Sequence, residues 1–119
     1  MINDFQIAKN FNLKEFVCPC CGVVMIDRKL VELLQALRDK IARPIIVTSG
    51  YRCPKHDIEV GGNGSSYHTK GMATDIYSPG VFLDRLKEVA DIIGFSGIGI
   101  NYKQPHLHVD IGPRRKWIE

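Results

Sequence analysis

What most constrains the fold of this chain is where its histidines fall. Three of the four sit in two short stretches far apart in sequence, Ser66-Tyr67-His68-Thr69-Lys70-Gly71-Met72-Ala73-Thr74-Asp75 and His106-Leu107-His108-Val109-Asp110. If these act together, the fold must close one stretch onto the other. His68, Asp75 and His108 then form an imidazole, carboxylate, imidazole set, enough to hold one catalytic zinc and leave a fourth position for water. His106 is left over for chemistry.

Period-two alternation puts His106, His108 and Asp110 on one side of a strand. With His108 on the metal, His106 stands close enough to exchange a proton with the attacking water or to stabilise the oxyanion it forms. Asp110 then supports the ligand from behind. The small residues Gly71 and Ala73 let the backbone pass near the metal and re-enter the core as a strand. Taken singly, His68 reads as a loop histidine and the other two as hairpin decoration; the set read together points to a metal site.

Asn12 followed by Glu15 resembles a capping box before a short helical turn over residues 13–16. Asp27 caps a helix whose apolar positions Leu30, Leu34, Leu37 and Ile41 recur at helical spacing, and Pro44 bounds its far end. Ile45 to Thr48 reads as a short buried strand that delivers Ser49 to Arg52 to one edge of the core. Residues 54–66 read as a long irregular loop. A second strand covers 73–77. Ser78-Pro79 is expected to open a helix through Ile93, with Phe82, Leu86, Val89 and Ile93 facing the core and Gly94 ending it. Residues 98–102 and 106–111 read as an antiparallel hairpin. Pro113-Arg114-Arg115-Lys116 reads as a solvated tail beside an anchoring Trp117. The pattern is α+β, an antiparallel sheet with helices packed on it.

At 119 residues, with no internal repeat or linker, a single domain over residues 1–119 is expected. No apolar run approaches a membrane span, and residues 1–6 lack the order of a secretory leader, so synthesis in the cytoplasm is expected. The net charge of +3 is dispersed, and without clustered stacking aromatics a nucleic-acid binder is disfavoured.

Ser-x-His-x6-Asp followed by His-x-His resembles the M15 family of zinc D,D-peptidases, related in fold to hedgehog signalling domains. Thr48-Ser49-Gly50-Tyr51-Arg52 is similar to the family's Ser-Gly-Tyr-Arg segment. Gly97-Ile98-Gly99-Ile100 supports the likeness, which spans residues 11–117. It implies zinc ligands at His68, Asp75 and His108, a catalytic or transition-state role for His106, and substrate or oxyanion contacts from Arg52 and Ser66. One branch of the family carries a glutamate base three residues before the last ligand. That position is Pro105 here, so the chain fits the His-x-His branch. Arg52 also has its own case: a guanidinium can hold a substrate carboxylate or a developing oxyanion, the alternative being a structural ion pair.

In a reduced chain, Cys18, Cys20, Cys21 and Cys53 suit a metal knuckle better than disulfides. Cys18-x2-Cys21 with Cys53-x2-His56 would make a Cys₃His structural zinc site, and Cys20 in place of His56 a Cys₄ set.

The expected function is a zinc peptidase acting as a monomer on bacterial peptidoglycan stems. It would be a D-Ala-D-Ala carboxypeptidase or an L-alanyl-D-glutamate endopeptidase, reaching the wall after phage-mediated release in a phage or prophage lysin. The alternative is a zinc-bearing binding module of the same fold without turnover. A non-haem iron oxygenase is disfavoured by the six residues between His68 and Asp75.

Overall fold

The computed structural model describes residues 3–119; Met1 and Ile2, part of the segment read above for a leader, lie outside them. Strands β1 (Gln6–Ala8) and β2 (Phe11–Asn12) form a small antiparallel ribbon that the sequence reading did not anticipate. The Leu13–Phe16 turn follows, closed by the expected capping box: Asn12 Oδ1 accepts from Lys14 N–H and Glu15 accepts from Asn12 N–H. Helix α1 (Arg28–Ile41) starts on Asp27, whose carboxylate accepts from Lys29 N–H, and buries Leu30, Val31, Leu34 and Leu37.

The main sheet is built from β3 (Ile46–Ser49), β4 (Ala73–Tyr77), β5 (Gly97–Asn101), β6 (His106–Asp110) and β7 (Arg115–Ile118), in the order β3-β4-β6-β5-β7. Neighbours are antiparallel except β5 and β7, which run parallel. Its two faces have different chemistry. Ile76 of β4, Ile98 and Ile100 of β5, and Leu107 and Val109 of β6 point into the core. They are joined there by α1 and by Leu86, Val89 and Ala90 of α3 (Leu83–Ile93). The alternate residues Asp75, Gly97, Gly99, His106, His108 and Asp110 fall on the opposite face.

Several expectations are corrected. The segment 54–66 is not wholly irregular, because Pro54–Glu59 forms a short helix, α2, with Pro54 at its first position and Cys53 as N-cap. A proline there pre-sets the helical φ and removes a donor that would have been unpaired. The third helix does not begin at Ser78-Pro79. Those residues form a turn with Gly80 at φ +80°, closed by Val81 N–H on Ser78 O at 3.0 Å, the geometry that Pro-Gly favours. Phe82 is therefore the cap of α3 and 86% exposed instead of core. β3 lies at the sheet edge with Ile46 exposed, so it is not a fully buried strand. Residues 115–118 are not a solvated tail but strand β7, whose registry sets Arg115 beside Gly97 and Trp117 beside Gly99.

Gly71 has φ +70°, and a Cβ there would collide with the backbone of Met25. The close passage expected at this glycine is real, but it is made against residues 25–26, where Asp27 N–H also bonds Gly71 O.

Candidate metal centre and cleft

The sheet registry assembles the site. Asp75 on β4 lies directly opposite His108 on β6, and His106 follows two residues away on the same face. The third group comes from the Tyr67–Lys70 turn, which carries the buried His68 to Asp75. His68 Nε2 stands 3.3 Å and His108 Nδ1 3.1 Å from Asp75 Oδ1. A tetrahedral ion bound at about 2.0–2.1 Å requires donor separations of about 3.3 Å. Both separations from Asp75 Oδ1 match that spacing, and the three ligand atoms all lie within 4.8 Å of one another.

Each imidazole is oriented by its other nitrogen. His68 Nδ1 lies 2.8 Å from Gly50 O, and His108 Nε2 lies 2.7 Å from Asp110 Oδ2. With those N–H groups donating, each ring when neutral presents its lone pair at the atom facing Asp75, His68 Nε2 and His108 Nδ1. Asp110 is in turn gripped by the Arg115 guanidinium at 2.7 and 3.0 Å. Burial alone would raise the Asp110 carboxyl, but the bonds from His108 and Arg115 bring it down to about 2. Burial also opposes a charged His108, yet bonding to Asp110 and Asp75 pushes that imidazole up to about 9. Asp75 is held well below the usual carboxylate range: His108 and His68 override the opposing effect of burial.

β5 leaves room for these groups. A side chain at Gly97 would overlap Asp110 and Arg115, and one at Gly99 would overlap the Trp117 indole. With neither present, Trp117 reaches across Gly99 to the His108 ring, centroids 5.1 Å apart, and Arg115 stacks between Tyr67 and Trp117.

Arg52 leaves the end of β3 and holds three groups: its Nε donates to Ser49 Oγ, Nη1 to Asp57 Oδ1 and Nη2 to Asp75 Oδ2, at 2.9–3.1 Å. The structural ion pair, weighed above as the alternative, is present. The guanidinium also lines the cleft, where its remaining N–H groups are available. Ser66 lines the cleft too, but its hydroxyl donates to Asp57 at 2.7 Å.

Asp57 was missed by sequence reasoning. Fully buried on α2, it accepts from Arg52, Ser66 and Gly64 N–H, and the Ser66 and Arg52 bonds outweigh burial to lower its pKa. The signal available was its place in the first turn of a helix capped by Cys53, invisible while 54–66 read as loop.

His106 Nδ1 lies 2.7 Å from Gln104 O, so that nitrogen donates and Nε2 faces the site, 3.8 Å from Asp75 Oδ2 and 3.5 Å from Glu119 Oε2. The cleft above these groups has a volume of about 960 Å³ and opens to solvent. Its size admits a short peptide, and its rim is polar.

Of the expected structural-zinc ligands Cys18, Cys21, Cys53 and His56, Cys18 and Cys53 come together with Cys20, their sulfurs all within 4.8 Å of one another, and Cys21 is outside that group. The His56 imidazole pairs with Glu59 at 3.7 Å and is outside that group.

Among the described residues, no helix is long and apolar enough to cross a membrane. The sequence model of peptidase M15 matches residues 9–110. Peptidoglycan L,D-endopeptidase MepK of Escherichia coli is 30% identical over 99 residues, covering 77% of this chain and 54% of that protein. A probable peptidoglycan L,D-endopeptidase MepK of Haemophilus influenzae is 40% identical over 53 residues, covering 44% of this chain and 28% of that protein. The chain thus spans about half the length of the E. coli relative and a smaller part of the other. With nearly the whole sheet and every group around Asp75 except Arg115, Trp117 and Glu119 inside the matched region, the chain belongs to the peptidase M15 family.

Proposed function

We propose that this chain is a zinc-dependent endopeptidase of bacterial peptidoglycan stems, acting as a monomer and cutting between an L and a D residue, with the L-alanyl-D-glutamate bond as the first candidate. The observation that carries the reading is the convergence of His68 Nε2, Asp75 Oδ1 and His108 Nδ1 at tetrahedral spacing beneath an open cleft, with His106 alongside. The name of the E. coli relative, an L,D-endopeptidase, favours the endopeptidase over the D-Ala-D-Ala carboxypeptidase.

A zinc ion held by these three residues would supply an acidified water and a Lewis acid for the scissile carbonyl. The remaining work belongs to the side chains. His106 takes the proton of the attacking water at Nε2 and returns it to the leaving amine, its ring held by Gln104 O throughout. Arg52 keeps the second oxygen of Asp75 occupied, and its free N–H groups stabilise the carbonyl oxygen as it gains charge or anchor a stem carboxylate. Ser66 and Asp57 act through Arg52 as positioning residues.

Mass spectrometry of purified muropeptides incubated with zinc-loaded protein, beside a chelated control, tests this. Separation of the stem after its first residue is expected. Loss of a terminal alanine would mean a carboxypeptidase instead, and no zinc-dependent product would leave the binding module. The lysin role is tested by the same incubation with intact sacculi, where solubilisation of the wall is expected.

A further inference from the structure

None of the four cysteines lines the cleft, and none takes part in the chemistry above. Residues 18–23 form a tight loop, closed by Gly22 N–H on Cys18 O at 2.9 Å and Cys18 N–H on Val23 O at 2.8 Å, with Gly22 at φ +75°. The Cys18 sulfur, in a fully buried residue, accepts from Cys53 N–H at 3.5 Å. A backbone N–H donor on a buried sulfur favours its thiolate over its thiol.

The sulfur spacing is that of ligands. Cys20 Sγ and Cys53 Sγ are 3.9 Å apart, and Cys18 Sγ lies within 4.8 Å of both. The Cys21 thiol lies outside this mutually close group but interacts with those of Cys18 and Cys53, so it is the sulfur in reach as a fourth ligand. Four sulfurs at about 2.3 Å from a tetrahedral zinc stand about 3.8 Å from one another, whereas a disulfide brings its two to about 2.05 Å.

We propose that Cys18, Cys20, Cys21 and Cys53 together bind a second zinc ion in a closed, structural four-thiolate site that fixes the segment bearing Arg52. Cys53 follows Arg52 directly and caps α2, whose Asp57 holds the guanidinium. The same segment packs on the first turn: Tyr51 N–H bonds Phe16 O at 2.8 Å, and Gly50 leaves no room for a side chain against Phe16. Gly50 O is the acceptor that sets the His68 tautomer. An ion clamping residues 18–21 to Cys53 therefore restrains two groups of the cleft at once. A soft, all-sulfur set selects zinc over magnesium, calcium or manganese.

This assignment stands independently of the peptidase reading. Elemental analysis of the purified full chain should find two zinc equivalents. After cobalt substitution the protein should show a near-ultraviolet thiolate-to-cobalt charge-transfer band. His108→Ala should lose one equivalent and keep the band. Cys53→Ser should lose one equivalent and the band; Cys21→Ser, at the exposed edge of the loop, provides the same readout if Cys53→Ser fails to fold. Four thiols freely reactive in the native wild-type protein, a Cys20–Cys53 disulfide, iron in place of the second zinc, or a cobalt spectrum unchanged by both cysteine variants would each overturn it.

Discussion

At the scale of single residues the proposed function separates those that would bind the metal, the one that would move a proton and those that hold the others. His106 lacks the close approach to Asp75 Oδ1 that His68 and His108 have, and its Nδ1 is committed to Gln104 O. His106→Ala should accordingly keep the zinc content of the wild type while kcat falls by about 10²–10⁴-fold; unchanged turnover would remove the proton-transfer role. Asp110 acts at one remove, orienting His108 from Nε2. Asp110→Asn should weaken zinc binding at the cleft by about 10–100-fold, measured by competition with a chromogenic chelator, with the cysteine-site cobalt band unaffected. An affinity equal to wild type would mean that Trp117 packing alone orients the ring. The convergence of His68, Asp75 and His108 was legible because few residue types hold zinc and strand alternation says which of them share a face. Asp57 was not: a carboxylate is common in loops, and only the tertiary fold shows that Arg52, Ser66 and Gly64 enclose it. Arg115 was misread for the opposite reason, since a cluster of basic residues usually is solvated and nothing local marks one of them as the partner of a buried aspartate.

At the scale of elements, β5 decides how the site face is filled. Ile98 and Ile100 serve the core while Gly97 and Gly99 clear the other face, so that side chains of β7 reach across to β6. Gly99→Ala places a methyl group where the Trp117 indole lies. The indole must shift, at a cost of about 1–3 kcal/mol, and the His108 ring loses its packing neighbour. Because Trp117 is the chain's one tryptophan, its fluorescence reports the shift directly. A lower melting temperature with a red-shifted emission is expected, and a spectrum and melt equal to wild type would show that the glycine is not needed for this contact. The elements with strong periodicity, α1 and the β5–β6 hairpin, were legible, as was the cap on Asp27. α2 and β7 were not. α2 has six residues and no apolar face long enough to show a period. β7 is a four-residue strand whose half-exposed alternation resembles a tail until β5 is there to pair with it. The start of α3 was misplaced because Ser-Pro suits a helix N-terminus and Ser-Pro-Gly suits a turn; Gly80 at positive φ settled it for the turn.

At the scale of the whole molecule, the fold and the ion place opposite demands on the same imidazole. In the metal-free chain the His108 pKa is raised to about 9, above the ordinary value of 6.5. Its bonds to Asp75 and Asp110 therefore stabilise the fold fully below about pH 6.5, and that contribution is lost as pH rises through about 9. The two aspartates have lowered pKa values, so their contribution is present above the ordinary carboxylate value and is lost as pH falls, through about 2 for Asp110 and lower still for Asp75. The metal-free protein should be most stable in mildly acidic solution and should weaken toward pH 9. Zinc bound as proposed would reverse the slope, because it would take the lone pair of His108 Nδ1 and must displace the proton there. Its apparent affinity should rise about tenfold per pH unit up to about pH 9. The gain in melting temperature on adding zinc to chelator-treated protein should thus grow between about pH 6.5 and about 9, the interval over which the metal-free melt declines. The thiolate site contributes in the same sense, so the part due to His108 is the difference between wild type and His108→Ala across the series. A difference that stays flat or shrinks with pH would mean that the imidazole is already unprotonated in the metal-free fold, and that Asp110 orients it without charging it.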